Sequence, residues 1–304
     1  MNILTLIDQD MISSILRALI PILLAALGGM LCERVGVFNI GLEGMILVGA
    51  FSAVAASYFT SNWIAGALAG MAAGAVFSLI LAAGAVYRGG DPIVLAIAMN
   101  ILAIGTTSFL LVAIFGVQGV FSDPRIAGIP VWRIPVLADI PWLGRLFALT
   151  PLGYLALLLV PLAWVVLFRT PLGLRLRGVG ERPLAAATLG VSPRRYQLWA
   201  IVASGALSGL GGAQLALGNV VQFTENMSSG RGWIAVVAVM LARAHPVGVL
   251  GAALLFGFAD ALGFRLQSFG LPQQLTDAGP YVITLLVLIL LSRRFRQTRV
   301  AQVA

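Results

Sequence analysis

Long apolar runs, separated by short polar or proline-rich breaks, recur along the whole chain. Nine of them read as membrane-directed helices: 11–31, 37–58, 62–86, 92–117, 150–168, 197–218, 231–243, 246–264 and 279–292. Crossing a ~30 Å hydrocarbon core takes roughly 20 apolar residues in helical geometry. The run 231–243 is short for that task and reads as half of a broken helix, continued by the Gly- and Ser-rich stretch before it. The pattern therefore predicts an all-α fold: a polytopic transmembrane helical bundle of nine to ten spans, forming a single domain over 1–304.

Composition agrees. The chain has 304 residues, 60% hydrophobic and 10% charged, with mean hydropathy +1.01. Soluble domains carry about 25% charged residues, and so few charges could not cover the outside of a soluble fold. The first apolar run is preceded by Asp8 and Asp10 and by no basic residue, so it reads as a first span rather than a cleaved leader.

Charge adds orientation. All 19 basic residues are arginine, and the net charge is +8. In a soluble protein this would suggest nucleic acid, but here the arginines lie in loops between spans. With Arg293, Arg294, Arg296 and Arg299 inside, alternation of nine spans places the 169–196 loop inside with Arg169, Arg175, Arg177, Arg182, Arg194 and Arg195. Arg34, Arg88 and Arg243 join them, satisfying the bias of arginine toward the cytoplasmic face. The C-terminus is thus expected in the cytoplasm and the N-terminus outside.

Two loops are long. The outer one, 118–149, carries Pro124, Pro130, Pro135 and Pro141, which deny it a regular helix, and Trp132 and Trp142, which suit the headgroup layer. The inner one, 169–196, contains a short helix-competent piece, Glu181 to Leu189, with Pro183 in its first turn and Gly190 just past its end. Its place on the inner face suits docking of a soluble partner.

Candidate chemistry is sparse. Asn39 and Glu43 stand one helical turn apart on the second span, and a buried carboxylate there must be paired or protonated. Glu43 either lines a substrate path or makes a structural hydrogen bond to a neighbouring helix where glycines allow close packing. Asn100 and Gln214 suit hydrogen bonds between helices, and Asp260 suits pairing with an arginine such as Arg265. Polar and glycine residues interrupt both the Gly36–Gly44 stretch and the stretch from Asn219 to Gly232, a pattern that marks central sites in transporters. Phe38, Asn39, Glu43, Asn100, Asn219 and Trp233 are therefore the candidate substrate path.

Much is excluded. His245 is the only histidine and Cys32 the only cysteine, so neither a histidine metal site nor an intrachain disulfide is available. No catalytic constellation is evident. A phosphate-binding GxxxxGK[ST] loop needs a lysine, and the chain has none. Any ATP and magnesium chemistry must belong to a partner.

Four blocks, in order, carry a resemblance: CERVGVFNIGLEGMILVGAF at 32–51, AIAMNILAIGTTSFLL at 96–111, IPVLADIPWLG at 134–144, and the long block 229–267 beginning SGRGWIAVVAVMLARAHP. Between them, 178–217 looks like an ATPase-contacting loop followed by a small-residue helix. Together they resemble the nucleoside and simple-sugar ABC-transporter permeases, a group that includes ribose and branched-chain amino-acid permeases. The resemblance implies a permease subunit in the bacterial inner membrane. Its expected partners are a cytoplasmic ABC ATPase, a second permease copy or homologue, an extracytoplasmic solute-binding protein or lipoprotein, and membrane lipid. It places Gly178, Gly180, Glu181, Arg182, Ala185, Ala186 and Gly190 in the coupling contact. Nucleosides are the implied solutes, with a simple sugar such as ribose or galactose the alternative. An ion-driven secondary transporter is the rival class, with Glu43 and Asp260 as its only intramembrane acids. Many relatives have ten spans and an inside N-terminus, from which the nine-span reading departs.

Overall fold

The computed structural model describes residues 9–133 and 148–267, together with Val282. Ten helices run in order: α1 (Gln9–Arg34), α2 (Leu42–Thr60), α3 (Trp63–Leu81), α4 (Pro92–Phe115), α5 (Pro151–Arg169), α6 (Pro171–Glu181), α7 (Pro183–Thr188), α8 (Pro193–Ala213), α9 (Arg231–Leu241) and α10 (Pro246–Gln267). Both α3 and α8 run on into π-helical turns, Ala82–Tyr87 and Gln214–Val220. Among the described residues, seven helices are long and apolar enough to cross a membrane, and α9 is too short. The predicted run 279–292 lies outside the described residues, as does the 134–147 part of the outer loop.

Local sequence sets the helix starts. Six helices open on a proline, whose missing N–H costs nothing in a first turn: Pro92, Pro151, Pro171, Pro183, Pro193 and Pro246. Asp91, Thr150 and Thr170 cap three of these through their side-chain oxygens, and Asn62 caps α3.

Hydropathy does not say which helices are central. The most apolar stretches of α1 and α5 have the same mean hydropathy, 2.2, yet 83% of the first is buried inside the bundle against 28% of the second. Lipid is as apolar as leucine, so association in a membrane depends on close packing and hydrogen bonds. Glycines provide that closeness where α8 crosses α2 and α3. A Cβ on Gly209 would collide with the Gly70 carbonyl, one on Gly74 with the Gly205 carbonyl, and one on Gly212 with the Ile46 carbonyl.

The outer-loop residues 118–133 contain no helix, as their prolines require. Two short ladders tie this region down: β1 (Val120–Phe121) pairs with β4 (Phe223–Thr224), and β2 (Trp132–Arg133) with β3 (Ala148–Leu149). Arg125 lies over the Tyr58 ring, 4.1 Å from its centre, and pairs with Asp123, whose carboxyl it holds below the ordinary range.

Two expectations need correction. Helix α2 begins at Leu42 rather than at 37, so Asn39 precedes the helix instead of sharing it with Glu43. The inner loop holds two helices rather than one, and Glu181 ends α6 while α7 begins at Pro183. Asp260, expected to pair with an arginine, has Arg231 of α9 at 3.8 Å.

Glycine packing gives a paired prediction. Gly209→Ala forces backbone apart at a helix crossing and should destabilise the bundle by roughly 1–3 kcal/mol or more. Gly105→Ala on the exposed face of α4 meets nothing within 4 Å; removing glycine from a helix interior there should gain up to ~1 kcal/mol. Thermal unfolding of the purified variants in detergent checks the opposite signs.

Candidate functional site

The chain breaks its helices twice at membrane depth. Residues 35–41 leave helical geometry between α1 and α2, and 221–230 do so between the end of α8 and α9. Non-helical backbone at that depth is tolerated only when protein groups satisfy it. Here they do.

At the first break, the Asn39 Oδ1 accepts the Gly41 N–H at 2.9 Å, and its Nδ2 donates to Ser204 Oγ of α8 at 3.1 Å. Asn100 reaches across from α4: its Oδ1 accepts the Gly44 N–H at 2.9 Å and its Nδ2 donates to the Ile40 carbonyl at 3.2 Å. The buried N-terminus of α2 is thus capped from a neighbouring helix.

At the second break, Glu43 does the same for α9. Its carboxylate oxygens accept the N–H groups of Gly230 at 2.8 Å and Gly232 at 2.6 Å. The Arg231 N–H bonds the Ser228 carbonyl at 2.9 Å. The two helix starts touch, because a Cβ on Gly232 would collide with the Glu43 backbone nitrogen. Helix N-termini each carry roughly half a positive charge, and the Glu43 carboxylate stands where two of them meet. Of the two readings of Glu43, the structural bond to a glycine-lined helix is present. The Arg231 guanidinium, at the same helix start, bonds the Met227 and Ser228 carbonyls and pairs with Asp260 of α10.

The depth follows from length. Eleven residues of α9 rise about 16 Å, half the hydrocarbon thickness. Its C-terminal end lies with Arg243 beside the end of α1, so the Glu43 junction sits near mid-depth.

The candidate path residues do not form one group. Asn39, Glu43 and Asn100 gather around the α2 start, and Phe38 joins Asn39, Leu42 and Val239 around a void of about 10 Å³, too small for a solute. Trp233 points away from the chain's interior, 41% exposed on α9, with Met240 also exposed two turns on. Asn219 is elsewhere. Its Nδ2 donates at 3.1 Å to the Arg17 carbonyl, the group that Pro21 four residues later leaves without its helical donor. Arg17 and Cys32, near Asn39, are about 22 Å apart along α1.

The coupling candidates form a second, compact site. Gly178, Gly180 and Glu181 end α6, Arg182 links the helices, Ala185 and Ala186 lie on α7, and Gly190 follows with φ +80°. A largely apolar cleft of about 360 Å³ runs between the two helices, lined by Leu174, Gly178, Ala185 and Leu189 among others. Leu184 and Leu189 are 84% and 83% exposed. Residues that sequence reasoning passed over are Arg34, noted only for orientation, and Arg231, Ser204 and Phe168, whose partners lie far away in the chain.

The chain matches the permease component of branched-chain amino acid transport systems over residues 11–291. It belongs to this family. It is similar to the guanosine ABC transporter permease protein NupQ of Bacillus subtilis, 41% identical over 283 residues, covering 88% of this chain and 87% of the relative. It is also similar to the nucleoside ABC transporter permease protein NupC of Lactococcus lactis, 35% identical over 295 residues, covering 93% and 92%. In fold it is similar to an ABC transporter assigned to the metal-chelate type and solved in an inward-facing conformation. That likeness has a TM-score of 0.52 at 17% identity and covers 91% of this chain and 86% of the other. The permease is therefore a multi-pass transport subunit and not an enzyme.

In this permease Asn100 is the most testable cap. Asn100→Ala orphans the Gly44 N–H and the Ile40 carbonyl, each costing about 1–3 kcal/mol when buried. Thr107→Ala, on the same helix, removes only bonds to its own helix carbonyls and should stay within about 1 kcal/mol. Unfolding of the purified permease in mixed micelles should separate the two.

Proposed function

We propose that this permease forms the translocation path of an ATP-driven importer for nucleosides. The carrying observation is the α6–α7 pair: two nearly bare leucines beside an apolar cleft, on helices too short to cross a membrane, at the arginine-rich end. Such a surface calls for a protein cover, and a cytoplasmic ATPase is the partner that the chemistry of import requires. The arginine-rich end then faces the cytoplasm, in line with the charge bias. ATP and magnesium act on that partner. A second permease completes the path against the exposed Trp233 and Met240 face of α9, and an extracytoplasmic binding protein or lipoprotein delivers solute.

Nucleosides are favoured because two relatives that match nearly the whole chain are named for guanosine and nucleoside transport. The exposed Trp233 offers an aromatic face on which a base stacks. Asn219, bound to the carbonyl freed by Pro21, is left out of the path.

Deletion of this chain is expected to abolish high-affinity uptake of labelled nucleoside while changing ribose or galactose uptake little. Competition of nucleosides and sugars in the same strain checks this. Loss of sugar uptake alone would contradict the nucleoside assignment and leave the permease assignment standing.

A further inference from the structure

We propose that Arg34 is the positioning residue through which displacement of the α6–α7 pair reaches the half-helix α9. The proposal rests on the reading of α6–α7 as the ATPase contact.

On one side, Arg34 meets α6. A Cβ on Gly180 would collide with the Arg34 carbonyl and lie 3.2 Å from the Gly36 nitrogen, so the end of α6 rests on the backbone at the end of α1. On the other side, the Arg34 side chain grips the turn between α9 and α10. Its Nε donates to the Ala244 carbonyl at 2.7 Å and its Nη2 reaches the Arg243 carbonyl at 3.5 Å. Those two carbonyls belong to residues with left-handed backbone, φ +51° at Arg243 and +52° at Ala244, a conformation that neither side chain favours. A turn strained in this way persists when its surroundings hold it, and such turns are where small displacements change a structure.

A cavity of about 430 Å³ lies between the end of α6, at Gly180 and Glu181, and the end of α9, at Val239 and Met240, with Arg34 on its wall. Phe168, at the end of α5, fixes the guanidinium in place. Its ring centre is 5.5 Å from the Arg34 Cζ, 5.1 Å from the Arg177 Cζ of α6 and 5.2 Å from the His245 ring. One aromatic ring thus stands against three of the segments that must move together. At its other end α9 is tied to Glu43 at mid-depth. A shift of α6 carried through Arg34 would therefore move a helix whose far end lies in the middle of the membrane.

The test uses the assembled transporter, with its ATPase and second permease, in lipid vesicles, and reads solute moved per ATP hydrolysed. Arg34→Gln should let hydrolysis continue while the ratio falls tenfold or more. Arg34→Lys, which keeps a charged donor but cannot span both carbonyls, should fall between. Equal loss of hydrolysis and uptake in Arg34→Gln, with the ratio unchanged, would overturn the relay. If that variant does not accumulate, Phe168→Leu is read in the same way, with a reduced ratio expected and an unchanged one refuting. Ala186→Pro, which removes the Ala186 N–H bond to the Arg182 carbonyl, separates the two proposals. It should eliminate solute-stimulated hydrolysis. Unchanged transport in Ala186→Pro would refute ATPase docking itself, whereas its expected loss beside an unchanged Arg34→Gln ratio would refute only the relay.

Discussion

A single carboxylate between two helix starts is the constraint around which this permease is arranged. Breaking a helix at membrane depth exposes N–H groups that lipid cannot satisfy, and setting two such starts together adds like partial charges. Glu43 answers both problems, accepting the Gly230 and Gly232 N–H groups of α9 from within the first turn of α2. Hydrogen bonds to a charged group are worth about 1.5–3 kcal/mol each. A carboxylate at such depth is costly without them. The arrangement also demands glycine at 232, since any side chain would displace the Glu43 backbone.

The rest of the bundle serves this junction. Helix α1, the most buried span, lies beside α8, α9 and α10, and the glycine crossings of α8 with α2 and α3 hold α2 in register. Asn39 and Asn100 close the α2 start from two sides. The arginine-rich end, with α6, α7 and the strained α9–α10 turn, lies about 16 Å below the junction along α9. A half-helix fixed at both ends suits a transport subunit, because a force at the surface is delivered at mid-depth without refolding a whole span.

Much of this was legible in the sequence. Apolar runs located the described membrane helices, Pro183 fell in the first turn of α7, and the shortness of 231–243 marked the half-helix. Gly190 correctly marked the end of α7. The start of α2 was misplaced because Val37 to Gly41 is as apolar as a helix start. Only Asn39 turning back on Gly41 and Asn100 reaching from another helix stop it there. Helix α6 was missed because Gly173, Gly178 and Gly180 depress helix propensity, although Thr170 and Pro171 supply a start signal. Pairings such as Glu43 with Gly230, or Arg34 with Ala244, span about two hundred positions of chain and carry no local signature. The placement of Asn219 was readable only once Pro21 was seen to free the carbonyl it binds.

Hydrogen exchange of the α9 start tests the central interaction most directly. In the wild-type permease in lipid nanodiscs, the amides of Gly230 and Gly232 should exchange slowly despite preceding or opening a helix. In Glu43→Ala both should exchange at least tenfold faster, while amides within α8 stay protected. Equal exchange of the two glycines in wild type and variant would contradict the account.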